Sequence, residues 1–116
     1  MKQLFFKKSG LLLSIFFIAN FVFGQKNDTT ITFKVWGNCD MCKRTIETAL
    51  DVKGVKLAEW DKNTKIISVT YNLEKITVEK IHELIAASGY DTEQKRGDDK
   101  AYQRLSPSCH YERKSQ

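Results

Sequence analysis

The chain contains 116 residues, of which 41% are hydrophobic and 28% charged, and its formal net charge is +5. This length suits one small domain and excludes an enzyme built from separate cofactor and substrate domains. One proline and six glycines exclude a collagen-like chain, and three cysteines are too few for a disulfide-stapled mini-protein.

Residues 1–24 have the pattern of a secretory signal peptide. Three lysines precede an apolar run over 11–23, and small Gly24 and polar Gln25 follow it. As a helix the run spans roughly 20 Å, short of the ~30 Å hydrocarbon core, which favours cleavage after Gly24 over an uncleaved anchor. We therefore expect a protein of the periplasm or the exterior, with no stable membrane insertion after cleavage. The segment holds three of the 19 basic residues and none of the 14 acidic ones, so about +2 of charge remains, too little to predict a nucleic-acid partner.

The first half of the remaining chain predicts a strand, a helix and a hairpin. Apolar and polar side chains alternate over 29–35, which is the period of a half-buried strand. Apolar side chains then recur at helical spacing over 41–51. The runs 55–60 and 65–71 flank a polar turn, so we expect them to pair as a β-hairpin.

The second half predicts another helix and a final strand. Thr77 can cap a helix whose apolar stripe covers 78–85 and which ends at Gly89. His82 lies in this helix, and we expect it at the surface or at the boundary of the core. A short strand is predicted over 90–95. Two helices alternating with four strands indicate the α+β class, arranged as a ferredoxin-like βαββαβ sandwich.

A tail with a different composition occupies residues 96–116. It begins with polar and charged residues, and 101–105 could form a helical turn. Cys109 and His110, both soft-metal ligand types, lie near its end. Two interpretations stay open: a flexible end with a spare thiol, or a tail that folds back and brings Cys109 or His110 to a metal site.

The chemistry of the chain lies in Cys39 and Cys42, which are separated by two residues where the first strand gives way to the first helix. Free backbone N–H groups and the helix dipole stabilise negative charge at such a position, which favours thiolates near neutral pH. Two thiolates at this spacing can converge on one atom, and a dithiolate suits a soft, low-coordinate ion such as Cu(I).

Four local motifs together resemble the heavy-metal-associated domain family. They are the Cys-x-x-Cys of 39–42, the Gly-Val of 54–55, the Val-Thr-Tyr of 69–71 and the Ser-Gly-Tyr-Asp of 88–91. The resemblance implies that 25–95 is such a domain, a soluble carrier that passes a metal ion on by ligand exchange at Cys39 and Cys42. It implies a metal-transporting membrane ATPase or another metal-binding protein as partner, and it places Tyr90 near the metal.

Two features depart from the pattern that the family implies. Gly37 stands where a buried methionine is expected, so Met41 either fills that gap in the core or offers its thioether to the ion, with packing favoured. Cys109 and His110 are additional ligand types. With Cys39 and Cys42 they would complete a tetrahedral Zn(II) set, whereas three thiolates would suit Cu(I).

The sequence therefore predicts an exported metal-binding protein rather than an enzyme. Cu(I) is the preferred cargo, and Hg(II) and Zn(II) stay open. The main alternative is a thiol–disulfide oxidoreductase that uses the same two cysteines. Two merely structural cysteines and a sheet-based RNA-binding module of the same topology are the weaker alternatives.

Overall fold

A computed structural model describes residues 27–115. The strands are β1 (Asp28–Lys34), β2 (Val55–Trp60) and β3 (Ile66–Asn72), and the helices are α1 (Asp40–Ala49), α2 (Val78–Ala87) and α3 (Asp99–Arg104). A single 3₁₀ turn, Pro107–Cys109, follows α3. The order β1-α1-β2-β3-α2 confirms the predicted elements, with bounds that shift by one or two residues.

The three strands form one antiparallel sheet in the order β1-β3-β2. Ile31 of β1 pairs with Val69 of β3, and Ile67 of β3 pairs with Trp60 of β2. One face of the sheet packs against the apolar sides of α1 and α2, which bury Ile46 and Ile81 completely. This α+β arrangement confirms the ferredoxin-like fold, and it sets the N-terminus of α1 beside the end of β1.

The predicted fourth strand over 90–95 is wrong in its extent. Among the described residues it is reduced to one isolated bridge between Val35 and Thr92. The Thr92 hydroxyl accepts hydrogen bonds from the backbone N–H of Gln94 (3.2 Å) and of Lys95 (3.0 Å), so the chain turns back on itself instead of extending.

His82 is buried, which corrects the expectation of a surface or boundary position. Its Nδ1 lies 2.6 Å from the Thr92 hydroxyl, and its ring packs against Phe33 with the centroids 4.0 Å apart. Burial lowers the pKa of His82 below its ordinary value. The ring therefore acts as a polar member of the core that secures the turn after α2.

The tail folds back onto the domain. Asp98 caps α3 by accepting from the N–H of Ala101 at 2.8 Å. Gly97 passes so close to the end of α2 that a Cβ there would lie 2.8 Å from the carbonyl carbon of Gly89, a contact that only glycine allows. The Tyr111 ring then stacks on Tyr90 at 5.2 Å. In the part of the chain that the structure describes, no helix is long and apolar enough to cross a membrane.

Candidate metal centre

The loop between β1 and α1 positions the first two cysteines. Its backbone is held at Trp36, whose N–H donates to the Asp91 carbonyl at 2.9 Å. Cys39 is the N-cap of α1, and Cys42 lies in the first turn. Their Sγ atoms are 3.4 Å apart and are not bonded to each other. The two sulfurs thus converge at the N-terminus of the helix, where backbone N–H groups are free to face negative charge.

Cys109 reaches the same place from the tail. Its Sγ is 3.6 Å from that of Cys39, and the three sulfurs all lie within 4.8 Å of one another. Cys42 and Cys109 are buried, at 0% and 3% exposure, whereas Cys39 is partly exposed. The cluster therefore opens to solvent at Cys39.

The two other predicted ligand candidates are exposed, unlike the buried sulfurs of Cys42 and Cys109. His110 is exposed, and its ring stacks on Tyr102 with the centroids 5.0 Å apart. Met41 is 52% exposed, and its Sδ accepts a weak hydrogen bond from the Ser108 hydroxyl at 3.8 Å. The expectation that Met41 fills the core gap at Gly37 is therefore wrong.

Trp60 fills that gap instead. A Cβ built on Gly37 would lie 3.0 Å from the Trp60 ring, and the indole N–H donates to the Val35 carbonyl at 3.0 Å. The ring is buried at the end of β2. A large aromatic side chain facing a glycine thus packs beneath the metal loop, a pairing that sequence reasoning missed because it depends on which residues of β2 and the loop meet.

Asn38 is a second residue that sequence reasoning missed. Its Oδ1 accepts a hydrogen bond from the Cys42 thiol at 3.0 Å. The contact orients the buried thiol toward the loop in the protonated form. The only sequence signal was an amide side chain one residue before the first cysteine.

The pKa values of two cluster cysteines shift in opposite directions. Burial opposes ionisation of Cys39, but the backbone N–H groups of Cys42 and Met41 and the neighbouring thiols outweigh it and lower the pKa. Burial and the other two thiols raise the pKa of Cys109 to about 11. Cys39 is therefore the readily ionised, solvent-facing sulfur, whereas the Cys109 sulfur is buried and harder to ionise.

Tyr90 lies beside the buried thiols, as the resemblance implied. Its side chain is fully buried, and its hydroxyl finds no hydrogen-bond partner among residues 27–115. Burial raises the pKa of Tyr90, and the neighbouring Cys42 and Cys109 thiols raise it further. The hydroxyl is therefore a neutral donor next to sulfur.

A buried ion pair fastens the tail that carries Cys109. The Asp91 carboxylate is 0% exposed and accepts from the Arg113 guanidinium at 2.6 Å and from the N–H groups of Gly97 (2.6 Å) and Lys114 (2.9 Å).

The Tyr111 hydroxyl donates to the Gly89 carbonyl at 2.7 Å and accepts from the Asp91 N–H at 2.9 Å. We call these contacts of Asp91, Tyr111 and Arg113 the tail latch.

Comparison with known proteins agrees with this geometry. The family model for the heavy-metal-associated domain matches residues 32–91. The copper chaperone CopZ of Staphylococcus haemolyticus (strain JCSC1435) is 36% identical over 55 residues, which cover 47% of this chain and 81% of that protein. The solved structure of a CopZ metallochaperone aligns with a TM-score of 0.54 at 30% identity, over 55% of this chain and 98% of the other. A copper binding domain from HMA7, a P-type ATPase, aligns with a TM-score of 0.53 at 27% identity, over 55% of this chain and 89% of the other. The chain belongs to the heavy-metal-associated domain family.

Proposed function

We propose that this protein binds a soft metal ion, with Cu(I) as the preferred cargo, and passes the ion to the thiols of a partner. The observation that carries the proposal is the pair of Cys39 and Cys42 sulfurs, 3.4 Å apart at the N-terminus of α1. Thiolates suit Cu(I), and Hg(II) and Zn(II) compete for the same donors. Family membership, and relatives that are themselves described as copper chaperones, support copper.

The exposure of the two sulfurs sets the order of transfer. Cys39 faces solvent and Cys42 is buried, so a partner's thiolate approaches the ion from the side of Cys39. The incoming sulfur bonds to the ion, the bond to Cys39 then breaks, and the bond to Cys42 breaks after a second partner sulfur has bound. Protons released by the partner's thiols replace the ion on Cys39 and Cys42, so the oxidation state of the metal does not change.

The partner that we propose is a metal-transporting membrane ATPase or another metal-binding protein. The structural likeness to a copper binding domain of a P-type ATPase supports this class. No catalytic step is needed in either case.

We also propose that the protein acts in the periplasm or outside the cell. The support is the signal-peptide pattern of residues 1–24, which lie outside the described residues. Intact-mass measurement of the protein recovered from a secreting bacterial host tests this, since export predicts that residues 1–24 are removed. Recovery of the uncleaved chain from the cytoplasm would contradict it.

Anaerobic competition against a chromogenic Cu(I) chelator tests the binding function. We expect the reduced protein to withdraw one Cu(I) per chain. Cys39→Ser and Cys42→Ser should each weaken binding by at least about tenfold, which corresponds to ~1.4 kcal/mol, because each removes one thiolate. Met41→Leu is the matched control, since it replaces a sulfur side chain that lies between the two cysteines and is 52% exposed.

Two outcomes would overturn the proposal. One is a wild-type protein that withdraws no Cu(I), and the other is unchanged affinity in both serine variants. Metal-independent turnover in an insulin-reduction assay would favour the thiol–disulfide oxidoreductase instead.

A further inference from the structure

The geometry points to a third thiolate: we propose that Cys109 completes a three-coordinate Cu(I) site with Cys39 and Cys42, so that the docked tail closes over the ion. This inference rests on the proposed metal binding of Cys39 and Cys42 and adds a ligand from outside the span that the family model matches, residues 32–91. It also makes the tail a part of the metal centre.

The sulfur separations fit three ligands better than two. With a metal–sulfur bond of about 2.3 Å, the zinc–thiolate value, two sulfurs on opposite sides of an ion lie about 4.6 Å apart, whereas those of a trigonal site lie about 4.0 Å apart. The Cys39 sulfur is 3.4 Å from that of Cys42 and 3.6 Å from that of Cys109. The two separations from Cys39 need to grow by about 0.4–0.6 Å to reach the trigonal value, and the Cys42–Cys109 separation is at most 4.8 Å. A linear pair would need the Cys-x-x-Cys loop to open by more than about 1 Å.

Tyr90 provides a second observation at the same place. Its fully buried hydroxyl lacks a hydrogen-bond partner within residues 27–115, and the Cys42 and Cys109 thiols are its neighbours. An unpartnered buried hydroxyl is unfavourable. Thiolates on a bound ion would accept from it more strongly than the neutral thiols do, so the buried side of the pocket suits the metal-bound state.

The tail latch determines how firmly the third sulfur is presented. Cys109 lies two residues before Tyr111, whose hydroxyl bonds to Gly89 and Asp91, and four residues before Arg113, which pairs with the buried Asp91 carboxylate. Undocking of the tail would remove the third ligand and uncover the buried side of the site. The docked tail should therefore retain the ion, and undocking of the tail should speed transfer of the ion to a partner.

X-ray absorption spectroscopy of the Cu(I)-loaded protein, in thiol-free anaerobic buffer, counts the sulfur ligands directly. We expect three sulfurs per Cu(I) in the wild type and two in Cys109→Ser, with loss of Cu(I) to a chelator at least about tenfold faster in the variant. His110→Ala is the matched control, because it removes the adjacent soft-ligand side chain, which is not part of the three-cysteine group. It should keep three sulfurs and the wild-type rate.

A second variant separates the ligand from the latch. Arg113→Ala leaves all three thiols in place but removes the partner of Asp91, so we expect faster Cu(I) loss although the cysteines are intact. Hydrogen exchange of the Asp91 amide, which donates to the Tyr111 hydroxyl, reports whether the tail stays docked in each variant.

The outcomes distinguish this inference from the proposed function. Two sulfurs in the wild type, or three in Cys109→Ser, would overturn the third ligand while leaving the Cys39–Cys42 site standing. A third sulfur found only in protein that elutes as a dimer would also overturn it, because that ligand would come from another chain. A wild-type protein that holds no Cu(I) would overturn both.

Discussion

At the residue scale, Gly37 and Trp60 determine how the metal loop is supported. The loop has Gly37 in place of a buried methionine, and the Trp60 ring occupies the space that a side chain at position 37 would need. Because the indole N–H also donates to the Val35 carbonyl, the ring both fills the core and holds the end of β1. The metal loop is therefore supported from β2 as well as by the Trp36–Asp91 hydrogen bond.

This pairing predicts strong coupling between the two positions. Gly37→Ala should lower the free energy of unfolding by about 1–3 kcal/mol, because the new Cβ meets the Trp60 ring at 3.0 Å. In a Trp60→Phe background, where the ring is shorter, the same change should cost at least about 0.5 kcal/mol less. Urea unfolding of the reduced, metal-free single and double variants measures both values. Strict additivity would show that the two residues do not compete for the space.

At the element scale, the segment after α2, predicted as a fourth strand, makes one bridge to Val35 beyond β1 and packs mainly against the tail. Thr92 turns the chain back after a single bridge to Val35. The Asp91 N–H donates to Tyr111 and its carboxylate accepts from Arg113 and the N–H of Gly97, while its carbonyl accepts from the Trp36 N–H. One buried carboxylate thus contributes a large share of the contacts that dock α3 and the 3₁₀ turn.

That carboxylate predicts a pH dependence of stability. Burial alone would raise the pKa of Asp91, but the Arg113 guanidinium and the N–H groups of Lys114 and Gly97 outweigh it and lower the pKa. The folded value therefore lies below the unfolded value of about 3.9. The stabilisation is complete above about pH 5 and is lost as the pH falls through the folded pKa.

Urea unfolding of the wild type and Asp91→Asn from pH 7 to pH 3 checks this dependence. We expect Asp91→Asn to be about 3 kcal/mol less stable at pH 7, because Arg113 loses its buried partner, and the difference should shrink as the pH falls. Asp99→Asn is the matched control: Asp99 pairs with the same guanidinium but is 71% exposed, so its loss should cost less than about 1 kcal/mol. Parallel pH profiles for wild type and Asp91→Asn would contradict the role of the latch.

At the scale of the whole molecule, the sequence predicted what depends on neighbours along the chain. The periods of two and 3.6 residues located β1, α1, the hairpin and α2, and the Cys-x-x-Cys spacing located the two sulfurs at a helix N-terminus. Contacts between segments that are distant along the chain were not predicted. The 3.6 Å approach of Cys109 to Cys39 spans 70 residues, and it depends on Asp91 meeting Arg113 and on Gly97 passing against Gly89.

The burial of His82 and the packing of Trp60 against Gly37 escaped prediction for a related reason. Periodicity places a residue on one side of its element but does not say which polar atom or ring faces it across the core. Thr92 partners His82, and Gly37 makes room for Trp60. Both partners lie in loops, where the sequence pattern carries little information on position.

The central claim is that the cysteine cluster selects one soft ion. Native mass spectrometry of anaerobically purified protein, offered Cu(I), Zn(II) and Hg(II) together and separately, tests it most directly. When Cu(I) and Zn(II) are supplied in equal amounts, we expect one Cu(I) per chain. Three soft sulfur donors suit low-coordinate Cu(I), whereas a structural Zn(II) site needs four ligands. Retention of Zn(II) in preference to Cu(I), or the absence of any bound ion, would contradict the account.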